Sequence, residues 1–204
     1  MNGTFLVIEG GEGAGKSTLV NGLKDALEKM GSAVLVTKEP YDQEIRKRLL
    51  TESLNAEEQL ALFLQDRKAH IEHVIQPALD AGNIVICDRF SPSTIAYQCG
   101  GEGLDLEMVG RLDAEARGGL WPDKILLLDG SPVVFKERVF RRGAVLTTYE
   151  RKPSDYHQRI RASFLAQAQA DLSHWCIINA EKNEADVLID ALACLDPLMK
   201  ALEH

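Results

Sequence analysis

Five short apolar runs punctuate the chain: Phe5 to Ile8, Ala33 to Thr37, Asn83 to Cys87, Ile125 to Asp129 and Trp175 to Ile178. None alternates with polar residues, so each reads as a strand buried on both faces. Between them the apolar residues recur every three or four positions, the spacing of helices with one buried face. Helical stretches are predicted from Gly15 to about Met30, Asn55 to Ala81, Leu104 to Arg117, from Pro132 onward, Ser154 to Leu172 and Glu184 to Leu202. Strands alternating with helices predict an α/β fold in three layers, a five-stranded parallel sheet flanked by helices.

Capping residues sharpen two of these helices. Asn55 precedes Glu57 and Glu58 and Gly82 follows the last turn, while Pro77 should end or kink that helix early, as Pro197 should the last one. Leu60, Phe63, Leu64, Ile71 and Val74 fall near one face, and Arg67 lies four residues after Phe63 on the same face. A buried unpaired charge is costly, so Arg67 either reaches an internal acid or faces a ligand pocket beside Phe63. Periodicity leaves both open.

The first strand runs into the pattern G-x-x-x-x-G-K-S, set by Gly10, Gly15, Lys16 and Ser17. This is a phosphate-binding P-loop. Glycines let backbone N–H groups close on a polyphosphate, the next helix contributes its positive end, Lys16 reaches the β- and γ-phosphates, and Ser17 binds Mg²⁺. Gly10, Gly11, Glu12, Gly13, Ala14, Gly15, Lys16, Ser17 and Thr18 are therefore the expected nucleotide cradle. Asp88-Arg89 ends the third strand, and a hydrophobic strand closing in Asp is how a P-loop enzyme holds Mg²⁺ opposite the loop's Ser. A helix-capping Asp with a structural arginine is the plainer alternative.

Composition narrows the class of partner. The 204 residues suit one domain spanning 1–204, and a formal net charge of -8 argues against non-specific nucleic-acid binding. Yet Lys136, Arg138, Arg141, Arg142, Arg151 and Lys152 cluster around a loop from Gly143 to Tyr149, which points to a small anionic ligand and a basic lid at about 141–152. Cys87, Cys99, Cys176 and Cys194 show no metal-ligand spacing and are expected to be reduced. No apolar run reaches membrane-spanning length, and the P-loop's position leaves no room for a signal peptide, so no membrane association and a cytoplasmic location are expected.

With these motifs assembled, the chain resembles the thymidylate kinases along nearly its whole length. Glu9-Gly10 leading into Glu12-Gly13-Ala14-Gly15-Lys16-Ser17-Thr18 is similar to that family's bacterial P-loop. Glu39-Pro40 resembles its R-E-P segment, Leu62-Phe63 with Arg67 its L-F-x-x-x-R helix, and Asp88 to Gln98 its D-R-[YFH]-x-x-S-x-x-A-Y-Q signature. The resemblance implies ATP- and Mg²⁺-dependent phosphorylation of dTMP to dTDP by direct transfer. It further implies that Phe63 stacks on thymine, Arg67 bonds its edge, Ser93 and Thr94 face the base, and Tyr97 packs under the sugar. Glu39 and Gln98 join this acceptor set, Glu12 approaches the 3′-hydroxyl, and Arg89 holds the acceptor phosphate. Ser17 and Asp88 take the metal, one of Arg141, Arg142 and Arg151 serves the transferred group, and a homodimer is expected.

Four positions depart from the family's pattern. Lys38 replaces an arginine, Tyr41-Asp42 replaces Gly-Gly, Glu102 stands where an arginine is common, and Thr147-Thr148 replaces Asp-Arg in the lid. The segment between Asp42 and Asn55 is also shortened. These departures motivate two alternatives: a nucleoside-monophosphate kinase of altered or broader acceptor range, or a catalytically weak nucleotide-binding protein.

Overall fold

A computed structural model describes residues 3–143 and 145–202. Among them the chain runs β1 (Thr4–Gly10), α1 (Lys16–Lys29), β2 (Val34–Lys38), α2 (Gln43–Thr51), α3 (Ala56–His70), α4 (Gln76–Asp80), β3 (Ile84–Asp88), α5 (Ser91–Thr94), α6 (Leu106–Arg117), β4 (Lys124–Asp129), α7 (Pro132–Arg141), α8 (Ser154–Ala170), β5 (Trp175–Asn179) and α9 (Glu184–Leu202). The strands form one parallel sheet in the order β2-β3-β1-β4-β5, with Ile8 opposite Asp88 and Leu126.

Because side chains alternate across a strand, each apolar run feeds two cores at once. Phe5, Val7, Val85, Cys87, Ile125 and Leu127 meet Phe90, Tyr97, Ile160 and Phe164 on one face. Leu6, Ile8, Ile84, Ile86, Leu126 and Leu128 meet Leu19, Leu23 and Leu27 of α1 and Val187, Ala191 and Leu195 of α9 on the other. The expected three-layer α/β fold with five parallel strands is the one observed.

Two local expectations need correction, and one helix was not anticipated. The predicted helix from Asn55 to Ala81 is interrupted by a π-helical turn at Ile71–Ile75, after which Pro77 sits in the first turn of α4. The wider turn relieves the clash a proline ring would make with the preceding helix. The segment before Asn55 contains α2, capped by the Asp42 side chain on the Glu44 and Ile45 N–H groups. Finally, Cys176 of β5 and Cys194 of α9 form a disulfide, their Cα atoms 6.3 Å apart, leaving Cys87 and Cys99 free. Nothing in an 18-residue spacing signals that the edge strand and the last helix pack together. Among the described residues, no helix is long and apolar enough to cross a membrane.

Candidate active site

The P-loop turns between β1 and α1 at the carboxyl edge of the sheet. Gly13 has φ 81°, and a Cβ there would lie 2.4 Å from the Phe135 carbonyl oxygen, so both backbone conformation and space require glycine. No side chain caps α1, which leaves its first N–H groups for an anion. Lys16 Nζ donates to the carbonyls of Gly10 and Gly11 at 3.1 and 3.0 Å. Burial, and then Arg89, lower its pKa, while Glu12, Asp88 and Glu9 oppose that shift.

Across the loop lies Asp88 at the end of β3. Ser17 Oγ donates to its Oδ2 at 3.4 Å, and its Oδ1 is buried with no hydrogen-bond partner. An orphaned carboxylate oxygen beside a P-loop hydroxyl fits Mg²⁺, which binds through one or two carboxylates plus waters and substrate phosphates. Among the described residues there is no cluster of three or more His, Cys, Asp or Glu side chains able to hold a metal alone.

Arg89 follows in a left-handed conformation, φ 73°. Its Nη1 donates to the Gly10 carbonyl at 3.1 Å and to Ser93 Oγ at 3.0 Å, its Nη2 to Glu12 Oε1 at 2.7 Å, and its guanidinium lies 4.9 Å over the Tyr97 ring. Glu12 also accepts from Tyr97 OH at 2.9 Å. Burial pushes the Glu12 pKa upward, but Arg89, then Lys16 and the Tyr97 bond, outweigh it and hold the group at about 2. Glu12 is thus a fixed anion between two cations.

Deeper in, Arg67 is 1% exposed. Its Nε donates to Glu39 Oε2 at 3.1 Å, its Nη2 also donates to Glu39, its Nη1 donates to Asp113, and the guanidinium lies 5.0 Å over Phe90. Of the two possibilities left by periodicity, the internal acid is realised, and yet Arg67 also borders the cavity together with Phe63. Gln98, 1% exposed, borders the same space with its Nε2 unpartnered. Thr94 is buried on that wall as well.

The loop from Glu12 to Thr18, Asp88, Arg89, Tyr97 and the deeper residues border one open cavity of about 1200 Å³, which reaches from the P-loop and α9 at one end to Phe63, Arg67 and Gln98 at the other. Of the predicted lid arginines, Arg142 borders it and pairs with Glu150 at 2.8 Å. Arg141 is exposed beside Glu137 on its own helix, and Arg151 is exposed. The lid is tied down by Tyr149, whose hydroxyl donates to Gln59 of α3 at 2.9 Å and whose ring meets Tyr97 edge-on. The unusual Glu102 accepts from Lys152 and Tyr156, at 3.0 and 2.9 Å, fastening the lid's other end.

Two more arginines stand on this wall, Arg46, which sequence reasoning missed, and Arg138, which it placed in the basic cluster without a role of its own. Arg46 of α2 borders the cavity with a buried, unpartnered Nε while its Nη2 donates to the Pro40 carbonyl. Arg138 borders it with Nη1 on the Ala180 carbonyl at 2.7 Å. The Asp42 cap followed by Ile45 and Leu49 at helical spacing was the available signal for the helix carrying Arg46.

A P-loop on a parallel sheet, facing a guanidinium-lined wall across the same cavity, defines a P-loop nucleotide-binding protein of the kinase class. Comparison with known proteins narrows this further. The family model for thymidylate kinase matches residues 8–190. A thymidylate kinase of Magnetococcus marinus is 41% identical over 189 residues, covering 89% of this chain and 90% of the relative. One from Desulfovibrio desulfuricans is 37% identical over 209 residues, 96% of each. The chain belongs to the thymidylate kinase family.

Proposed function

We propose that this protein transfers the γ-phosphoryl group of ATP to the 5′-phosphate of dTMP, giving dTDP and ADP. The observation that carries the reading is the pairing of Lys16 and Arg89, two cations that bond the same Gly10 carbonyl and face one cavity. One belongs to the donor half and the other to the acceptor half, so two phosphate chains can be brought end to end.

The roles proposed for the residues follow the family resemblance, and the geometry supports them. The loop from Gly10 to Thr18 cradles the donor phosphates and Lys16 follows the charge that develops on the transferred group. When bound, Mg²⁺ neutralises donor phosphate charge, and Ser17 and Asp88 are the side chains that would hold it. Arg89 receives the acceptor phosphate, and Glu12 fixes Arg89 while offering a carboxylate to the sugar. Arg46, with a spare donor, supports the acceptor phosphate where Lys38 has replaced an arginine. Arg142 serves the transferred group from the lid at about 141–152.

Phe63 stacks on thymine. Arg67 has five N–H groups, and the bonds to Glu39 and Asp113 engage three, which leaves two for the base edge. The free amide of Gln98 and the Thr94 hydroxyl complete the base-reading wall, and Tyr97 underlies the sugar. The hydroxyl of Ser93 is committed to Glu9 and Arg89, so it acts on the acceptor through Arg89. We read the chain as one kinase domain acting in the cytoplasm, where its nucleotide substrates are, and as a homodimer.

The two alternatives, a broadened acceptor range and a weak nucleotide-binding protein, are not favoured: thymidylate kinases recur among its relatives across nearly their full length. ADP release measured with dTMP, dUMP, dCMP, dGMP and dAMP as acceptors tests the reading. A clear preference for dTMP is expected, and equal rates with two or more acceptors would overturn it.

A further inference from the structure

Glu9 is the last side chain of β1 before the P-loop glycines, and it is fully buried. It lies behind the cavity wall and forms no part of the cavity surface. Three donors converge on its carboxylate: Phe90 N–H at 2.9 Å and Ser93 N–H at 3.2 Å on Oε1, and Ser93 Oγ at 2.6 Å on Oε2. An ionised carboxylate accepts all three, and it has no exposed face left for a substrate or a proton in transit.

What those bonds hold is the turn that carries Arg89. A left-handed backbone is costly for a non-glycine residue, so Arg89 keeps φ 73° because its surroundings enforce it. Its own N–H is bonded to the Ile8 carbonyl at 3.0 Å, and Glu9 grips the N–H groups of Phe90 and Ser93 just beyond. The relay continues through the side chain: Ser93 Oγ donates to Glu9 and accepts from Arg89 Nη1 at 3.0 Å. The adjacent Gly10 carbonyl accepts from Arg89 Nη1 and from Lys16 Nζ, each at 3.1 Å, so the end of β1 spaces the acceptor cation from the donor cation.

We propose that Glu9 is a positioning residue of the acceptor site, which through Ser93 holds the Arg89 guanidinium in the orientation that receives the dTMP phosphate. This rests on the reading of Arg89 as the acceptor-phosphate residue. Its consequence is selective, because the donor half depends on Lys16 and the loop N–H groups and not on Ser93.

The experiment is calorimetric titration of dTMP and of ATP, separately, into the full-length protein at mildly alkaline pH, alongside KM and kcat. Glu9→Gln keeps the shape but turns a donor toward Ser93 Oγ and removes the charge beside Arg89. Loss of one charge-assisted bond in the relay predicts a rise of about tenfold in Kd and KM for dTMP, with ATP changed by less than about twofold. Ser93→Ala predicts the same selective loss, and Glu9→Gln combined with Ser93→Ala should be no worse than about twofold beyond either single variant. If Glu9→Gln does not fold, the selective loss in Ser93→Ala carries the test by itself.

Unchanged dTMP binding in Glu9→Gln or Ser93→Ala, equal weakening of dTMP and ATP, or fully multiplicative losses would each overturn the proposal. Arg89→Ala separates the two levels. If it abolishes dTMP binding while Glu9→Gln has no effect, the reading of Arg89 stands and only the relay falls; if it leaves dTMP binding intact, both fall.

Discussion

Asp113 is 2% exposed behind Arg67 at the Phe63 end of the cavity, and its two oxygens serve three donors: Arg67 Nη1, Ser91 Oγ and Arg117 Nε at 2.9 Å. Replacing Asp113 with Ala leaves the buried Arg67 guanidinium with Glu39 as its acid partner and strips Ser91 of its acceptor. Breaking a buried ion pair by removing one member costs about 3–5 kcal/mol, and the stranded hydroxyl adds roughly 1 kcal/mol. Arg117 contributes less to this loss, since its guanidinium is partly exposed and stacks 4.6 Å over Trp121. For a chain of this length each kcal/mol lowers Tm by about 2–4 °C, so a fall of roughly 8–24 °C is expected by calorimetry. Asp113→Asn, which keeps an acceptor of the same shape, should lose much less. The same Asp113→Ala protein should bind dTMP more weakly than ATP relative to wild type if Arg67 reads the base with its remaining N–H groups, as proposed above. A Tm shift under about 2 °C would show that the charge of Arg67 is balanced without Asp113 and would refute the reasoning.

Three further outcomes are expected. Lys16→Ala should lower kcat by at least about 10²–10³, measured as dTDP formed with both substrates saturating, and near-normal turnover would remove Lys16 from the reaction. Phe63→Ala should raise KM for dTMP by roughly 5–150-fold, the worth of about 1–3 kcal/mol of base stacking, with little change for ATP; equal loss for both would return Phe63 to the packing of Ile45, Leu49 and Leu62. The two buried acids at the P-loop give opposite pH signatures in unfolding free energy. Glu12, depressed from 4.5 to about 2, contributes stability that is present above pH 4.5 and lost as pH falls toward 2. Glu9, raised from 4.5 to about 7 chiefly by burial, is protonated in the native state below neutrality, so stability falls as pH rises from 4.5 through 7. Glu9→Gln should remove the second trend, and a wild-type-minus-variant difference that stays flat over that range would contradict it.

How much of this was legible beforehand follows from where each signal resides. The strands announce themselves because runs such as Ile125–Leu128 fill both cores, and the P-loop because its glycines and Lys16 are fixed by local geometry. Arg67 could be placed on a face but not given partners, since Glu39 and Asp113 lie 28 and 46 residues away, beyond the end of β2 and on α6, and meet it only in the folded chain. Arg46 was missed because α2 is short and polar, with Ile45 and Leu49 as its buried residues. The π-helical turns at Ile71–Ile75 and Ile95–Gly101 carry no periodicity that separates them from α-helix. Among the lid arginines the sequence offers three equivalent charges, and only the fold directs Arg142 toward the cavity while Arg141 lies along its own helix.

The most direct test of the account is a single turnover with ATP labelled in its γ-phosphoryl group and dTMP in excess over enzyme. Direct transfer within one cavity predicts that the label passes into dTDP as ATP is consumed, with none on the protein at any time. Label accumulating on the protein, or appearing as free phosphate in place of dTDP, would contradict it.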